Sequence, residues 1–208
     1  NNKLILGTVQ FGLDYGINNN HGKPSLKKIF QIFDYAFDNG IITLDTAENY
    51  GDIHEIIGKY HYKNPNKKFR INTKFNPDLK LIQIEDKITE FLNDLKVDFI
   101  DTIMFHSFES YKNNLSAVKF IEYLKKKGII KNVGVSVYNN KEIEYLFNDI
   151  RIDTVQLPFN LFDNINKRGF YLKRLKDLNK NTQTRSTFLQ GLFFMDFNKS
   201  NNLLKILH

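Results

Sequence analysis

Short β-branched runs alternate with amphipathic stretches along nearly the whole chain. The runs at Leu4–Thr8, Ile41–Thr46, Arg70–Phe75, Asp101–His106, Asn132–Tyr138, Thr154–Phe159 and Thr184–Phe188 predict strands. Several are continuous rather than alternating in apolar character, the pattern of strands covered on both faces. Between them the spacing changes to three and four. Leu26, Ile29, Phe30, Phe33, Ala36 and Phe37 form one stripe, with Ser25 as a capping residue and Gly40 as a stop. Val118, Ile121 and Leu124 form a second, opening at Ser116 and closing at Gly128. Asn140 is a candidate cap for a helix from Lys141 to about Asn148, and the stretches Ile84–Leu95 and Lys167–Leu178 also read as helical.

The strand starts lie roughly 20–40 residues apart, the length of a strand plus a crossover helix. Repeated βα units have two main solutions, an open doubly wound sheet or a closed (β/α)8 barrel. No G-x-G-x-x-G follows the first strand, which weighs against a dinucleotide-binding open sheet. Asp45, Lys74, His106, Ser136 and Gln156 instead stand at or beside the C-terminal ends of successive strands, where a barrel would gather them at one mouth. The pattern therefore predicts an α/β chain of a single domain, residues 1–208, folded as a (β/α)8 TIM barrel. It is incomplete, because seven strands are found and the helical stretch Ser200–Leu207 leaves no room for an eighth unit.

Composition narrows the chemistry. Among 208 residues there is no cysteine, so disulfides, thiolate nucleophiles and cysteine-ligated metal centres are excluded. No apolar run approaches the roughly 18 residues of a membrane helix, and a cytoplasmic protein with no membrane partner is expected. The net charge of +7 comes from lysines scattered along the chain. The longest run, Lys125-Lys126-Lys127, sits where cations complement a helix C-terminus, and no nucleic-acid motif accompanies it. His21, His54, His61 and His208 form no ligand cluster; they read as surface residues, and no metal site is expected.

The strand-end residues make a coherent set. Tyr50 follows Asp45 by five residues, in the loop Glu48-Asn49-Tyr50-Gly51. A lysine ammonium beside a tyrosine hydroxyl favours the phenolate and so predicts a lowered Tyr50 pKa. A carboxylate on that lysine holds it oriented, and a histidine nearby can position a substrate oxygen. Together Asp45, Tyr50, Lys74 and His106 would form a general acid for protonating a developing alkoxide.

The run Leu44-Asp45-Thr46-Ala47-Glu48-Asn49-Tyr50-Gly51, continuing to Glu55-Ile56-Ile57-Gly58, resembles the signature of the aldo/keto reductase family. Leu6-Gly7-Thr8-Val9-Gln10-Phe11-Gly12 resembles that family's first strand. Asn72-Thr73-Lys74, Asp98-Phe99-Ile100-Asp101 with Phe105-His106, Gly134-Val135-Ser136 and Val155-Gln156 follow in family order. The segment Arg185–Gly191 resembles a bacterial branch associated with sugar metabolism. The resemblance implies NADPH-dependent reduction of a small aldehyde or ketone, with Tyr50 as proton donor, Lys74 its partner, Asp45 the counter-charge and His106 orienting the substrate. It places Gly7 and Thr8 beside the nicotinamide ribose, and Asp45, Ser136 and Gln156 around the nicotinamide. Ser186, Phe188, Leu189, Gln190 and Gly191 fall along the pyrophosphate.

Three positions depart from the family pattern. Val137 stands where Asn is frequent, and Arg185 where a tyrosine commonly stacks on the nicotinamide, so the resemblance makes Arg185 a cofactor-binding residue whose planar guanidinium can stack instead. The eighth strand and its helix, which hold the adenosine 2′-phosphate, have no counterpart, so the chain reads as C-terminally truncated relative to the family and the choice of NADP over NAD is inherited from it. A non-catalytic nucleotide-binding or partner-docking barrel, or an inactive truncated product, are the alternatives. Oligomeric state is left open.

Overall fold

The computed structural model describes residues 3–76 and 84–194. The sheet order is β1-β2-β3-β4-β5-β6-β7, every neighbouring pair being parallel. Its strands are β1 (Leu6–Gly7), β2 (Thr43–Asp45), β3 (Arg70–Phe75), β4 (Ile100–Phe105), β5 (Ile130–Ser136), β6 (Thr154–Pro158) and β7 (Asn181–Arg185). A doubly wound sheet would reverse its order at a switch point, whereas this one advances in a single direction. The result is a curled, incomplete (β/α)8 wall. The helical stretch expected at Ser200–Leu207 lies outside the described residues.

The helices are α1 (Val9–Gly12), α2 (Leu26–Asp38), α3 (Ile53–Lys63), α4 (Ile84–Leu95), α5 (Phe108–Asn113), α6 (Leu115–Lys126), α7 (Asn140–Leu146) and α8 (Ile165–Asp177), and Leu189–Phe194 forms a last 3-10 segment. Ser25 caps α2 by accepting from the Lys28 N–H, as its position predicts. Two other starts fall slightly earlier than expected, by two residues and by one. Asn114 rather than Ser116 precedes α6, and Asn139 rather than Asn140 caps α7, because Glu142 completes a capping box with Asn139.

The core lies between the sheet and the outer helices. Phe33 of α2 meets Phe11, Tyr60 and Phe69, with ring centroids 5.2–5.5 Å apart. β7 is the clearest shift from expectation: it begins three residues before Thr184 and reads Asn-Thr-Gln-Thr-Arg. Its residues are exposed or half-buried, so this edge of the sheet needs little apolar content and carries no hydrophobic signal.

The histidines correct the surface reading at two positions. His61 is fully buried: Nδ1 lies 2.8 Å from the Leu95 carbonyl, and Nε2 accepts from the Phe69 N–H at 3.0 Å. Those partners require the neutral ring with its proton on Nδ1. His54 is also buried, bonded to Thr73 at 2.9 Å and edge-on to Phe91. Both face inward on α3, a helix whose stripe mixes histidines with Ile53, Ile56, Ile57 and Tyr60 and so reads weakly.

Burial, with Lys87 adding to it against Glu90, brings the His54 pKa down to about 4. The unfolded chain therefore binds a proton that the folded ring refuses. Stability is fully present above pH 6.5 and is lost as pH falls towards 4, by about 3 kcal/mol from this side chain. Urea denaturation at pH 7.5 and pH 5 should show the lower midpoint at pH 5, and His54→Phe should reduce the difference, the buried His61 and His106 carrying the remainder. Equal midpoints in the parent protein would contradict the assignment.

Candidate active site

Three strands and the loop after the first of them bring the proposed tetrad together. Asp45 ends β2, Lys74 is the penultimate residue of β3, and His106 directly follows β4. Lys74 is 2% exposed; its Nζ donates to Asp45 Oδ1 at 2.6 Å and to the Thr46 carbonyl at 3.1 Å. Gln156, on β6, donates its Nε2 to the same Asp45 oxygen at 2.9 Å. Tyr50 covers this pair, its ring centroid 5.8 Å from Lys74 Nζ and 6.1 Å from the His106 ring, edge to face.

The loop carrying Tyr50 is positioned by two glycines and a carboxylate. A Cβ on Gly12 would stand 1.7 Å from the Tyr50 carbonyl oxygen, so only glycine lets α1 press against that peptide. Gly51, with φ of 65°, turns the chain immediately after Tyr50. Glu48 accepts from the Asn76 N–H at 2.8 Å and pairs with Lys87 at 2.9 Å, tying the loop to the end of β3 and to α4. Glu48 was legible only as part of the motif, not as this brace.

The electrostatics overturn one expectation. The Tyr50 pKa is raised, not lowered: burial is the largest cause and the Asp45 carboxylate the next, with Arg185 opposing them. Lys74 is bound directly to Asp45, so its charge is compensated where Tyr50 would feel it. The phenol keeps its proton at neutral pH. His106 is drawn down to about 4 by burial, reinforced by Lys74 and Arg185 against Asp45, and is neutral at pH 7. Its Nδ1 is buried with no hydrogen-bond partner among the described residues.

Ser136 and Gln156 stand side by side, paired in register across β5 and β6. Both are 2% exposed, and Gln156 Oε1 is a buried acceptor with no partner among the described residues. Ser136 Oγ accepts from Arg185 Nε at 3.2 Å, which leaves the hydroxyl hydrogen to donate. A donor beside an orphaned acceptor is the pattern a primary carboxamide needs. Gly7 has open space where a Cβ would be, and Thr8 is buried, its hydroxyl donating to the Asp45 carbonyl at 3.1 Å.

Arg185 donates to Ser136 and, at 3.1 Å, to the Val137 carbonyl, and its guanidinium lies 4.2 Å from the Tyr138 ring centroid. Beyond β7, Ser186, Leu189, Gln190 and Gly191 all have positive φ. Backbone of this kind persists where its surroundings hold it and is common at ligand clamps. Here Gln190 supplies the hold: its side chain donates to Tyr15 Oη at 2.8 Å and accepts from the Ile17 N–H at 3.2 Å. That side chain is committed to the β1–α2 connection, which leaves mainly the backbone of this turn for a ligand. Phe188 is 60% exposed.

Sequence reasoning passed over Arg168. It is 1% exposed, bonded to Asp163 through two nitrogens, to Asn140, and at 2.7 Å to the Tyr138 carbonyl. It joins the loops after β5 and β6 and so sets Tyr138. Nothing local marks Lys167-Arg168-Gly169 as different from a solvated helix face.

The aldo/keto reductase family model matches residues 3–205. The chain belongs to the aldo/keto reductase family. Among curated proteins, the uncharacterized oxidoreductase YqkF of Bacillus subtilis is 28% identical over 149 residues, covering 65% of this chain and 48% of that protein. The chain thus spans about half the length of the curated relative it matches. The crystal structure of PA4992 from Pseudomonas aeruginosa, assigned to the aldo-keto reductases, superposes with a TM-score of 0.73 at 22% identity, over 88% of this chain and 72% of that one. An aldo-keto reductase of Bombyx mori, solved in complex with NADP, gives 0.66 at 19% identity, over 88% and 62%. These likenesses support the barrel fold of this family member. No helix among the described residues is long and apolar enough to cross a membrane.

Proposed function

We propose that this aldo/keto reductase chain carries the site of an NADPH-dependent carbonyl reductase acting on a small aldehyde or ketone. The observation that carries the reading is the buried Lys74–Asp45 pair beneath Tyr50, with neutral His106 at the edge of the phenol. When bound, the reduced nicotinamide supplies a hydride to the carbonyl carbon. Every other requirement falls to the protein. Tyr50 retains its proton and delivers it from Oη to the carbonyl oxygen as negative charge develops there. That developing charge, close to the Lys74 ammonium, is stabilised in place, and Asp45 keeps the ammonium oriented. His106, uncharged, can hydrogen-bond the same oxygen without competing for the role of acid.

Ser136 and Gln156 would hold the nicotinamide carboxamide, the hydroxyl donating to its oxygen and Oε1 accepting from its amide. Open space over Gly7, with Thr8 and Asp45 beside it, suits the ribose, while Ser186, Phe188, Leu189, Gln190 and Gly191 suit the phosphates. NADPH rather than NADH rests on the family and on the NADP-bound silkworm relative. The direct test is a fluorescence titration of the protein with NADPH and with NADH. Saturable binding that favours NADPH, weakened by Gln156→Ala, is expected. A folded protein that binds neither cofactor would overturn the reading.

A further inference from the structure

Arg185 forms no ion pair among the described residues, although it is only half-exposed. Its partners are the Ser136 and Ser186 hydroxyls and the Val137 carbonyl, all neutral. The carboxylates nearby are already answered. Asp45 is bound to Lys74, and Asp163 to Arg168, with Lys167 beside it. Asp163 meets Arg185 only through space, because both its oxygens are taken by Arg168. His106 is neutral and Tyr50 keeps its proton. The mouth therefore holds an uncompensated positive charge beside the proton donor.

That charge stands next to the groups proposed to hold the nicotinamide. Ser136 and Gln156 present a hydroxyl donor beside an orphaned acceptor, and Arg185 Nε donates to the same Ser136 hydroxyl at 3.2 Å. A carboxamide is attached directly to its ring, so a nicotinamide anchored on Ser136 has the guanidinium as its neighbour. Tyr138 covers one face of that guanidinium, 4.2 Å from ring centroid to Cζ, and a planar guanidinium can stack a second flat ring on the other face. Hydrogen bonds to Ser136 and to the Val137 carbonyl fix the cation in place. The nicotinamide ring is neutral when reduced and carries one positive charge when oxidised. The phosphates are the same in both forms, so their attraction to Arg185 cancels when the two affinities are compared.

We propose that Arg185 selects the redox state of the cofactor: its fixed positive charge disfavours the oxidised, cationic nicotinamide relative to the reduced, neutral one. This rests on the carbonyl-reductase reading. In a mixed pool the free site then fills with reduced cofactor and releases the oxidised form readily, which commits the chain to carbonyl reduction rather than alcohol oxidation. A neutral aromatic side chain in the same place would do the reverse, its π face attracting the cationic ring.

The test is calorimetric titration with NADPH and with NADP⁺, and it needs no turnover. The quantity read is the ratio of the NADP⁺ to the NADPH dissociation constant. Two like charges about 4 Å apart repel, even in bulk water, by enough to change an equilibrium about fivefold, and by more where solvent is partly excluded. Arg185→Gln should therefore lower the ratio by about fivefold or more, and Arg185→Tyr should lower it further. Arg185→Lys keeps the charge and should keep most of the ratio. Ser186→Asp reaches the same end by another route: the guanidinium stays, and a carboxylate now stands beside it, so the ratio should again fall whatever happens to the two affinities separately. Circular dichroism checks that each variant is folded. A ratio that is the same in the parent, Arg185→Gln and Ser186→Asp overturns the inference and leaves cofactor binding, and with it the reductase reading, intact. A folded parent that binds neither form overturns both.

Discussion

Tyr50→Phe lowers kcat for carbonyl reduction by about 10²–10⁴-fold, the contribution expected of a positioned general acid. The substitution removes one hydroxyl and keeps the ring, so its edge-to-face contact with His106 and its cover over Lys74 remain. NADPH affinity should change little, because the carboxamide is assigned to Ser136 and Gln156. The loss should therefore fall on kcat and leave KM and the cofactor dissociation constant near their parent values. The raised pKa adds a second readout: an ultraviolet titration should show no phenolate from Tyr50 at neutral or mildly alkaline pH. Undiminished reduction in the variant would remove Tyr50 from the chemistry and leave the site without an assigned proton donor.

Lys74→Met has the largest expected effect on stability. The ammonium is 2% exposed and the Asp45 carboxylate 19%, so deleting the cation strands a largely buried negative charge. Removing one partner of such a pair costs about 3–5 kcal/mol. Gln156 Nε2 would still donate to Asp45, but a neutral amide cannot replace the charge. The double variant Lys74→Met with Asp45→Asn should regain much of the loss, because neither charge then remains uncompensated. Activity should not return with it, since the cation near the developing oxyanion is gone. Guanidinium denaturation of the three variants measures the coupling, and strictly additive losses would show that the pair is not acting as a unit.

Much of this was legible along the chain. β3 and α4 run over the residues that periodicity assigns to them, Arg70–Phe75 and Ile84–Leu95. The reason is physical: both are long enough to show a clear pattern and are packed on the core. The grouping of the tetrad was legible because Asp45, Lys74 and His106 sit at strand ends and Tyr50 in the loop after the first of them, and strand ends are set by the alternation of element types. β7 and α3 were not legible. The first is a polar edge strand, and the second buries two histidines whose polar atoms are satisfied only by Thr73, Leu95 and Phe69 from other segments.

The charge on each group divides in the same way. Sequence by itself determined the repeated βα order, the absence of thiol chemistry, and the meeting of Asp45, Tyr50, Lys74 and His106 at one mouth. It also implied that Asp45 answers Lys74, but not that Asp163 answers Arg168 or that burial would dominate at Tyr50. A lysine near a tyrosine predicts a more acidic phenol, yet only the folded arrangement buries Tyr50, leaves Arg185 without an ion pair among the described residues and seals Arg168 among Asp163, Asn140 and Tyr138. Burial and pairing are properties of distances between segments far apart in the chain, and those distances are decided by packing, which local pattern does not encode.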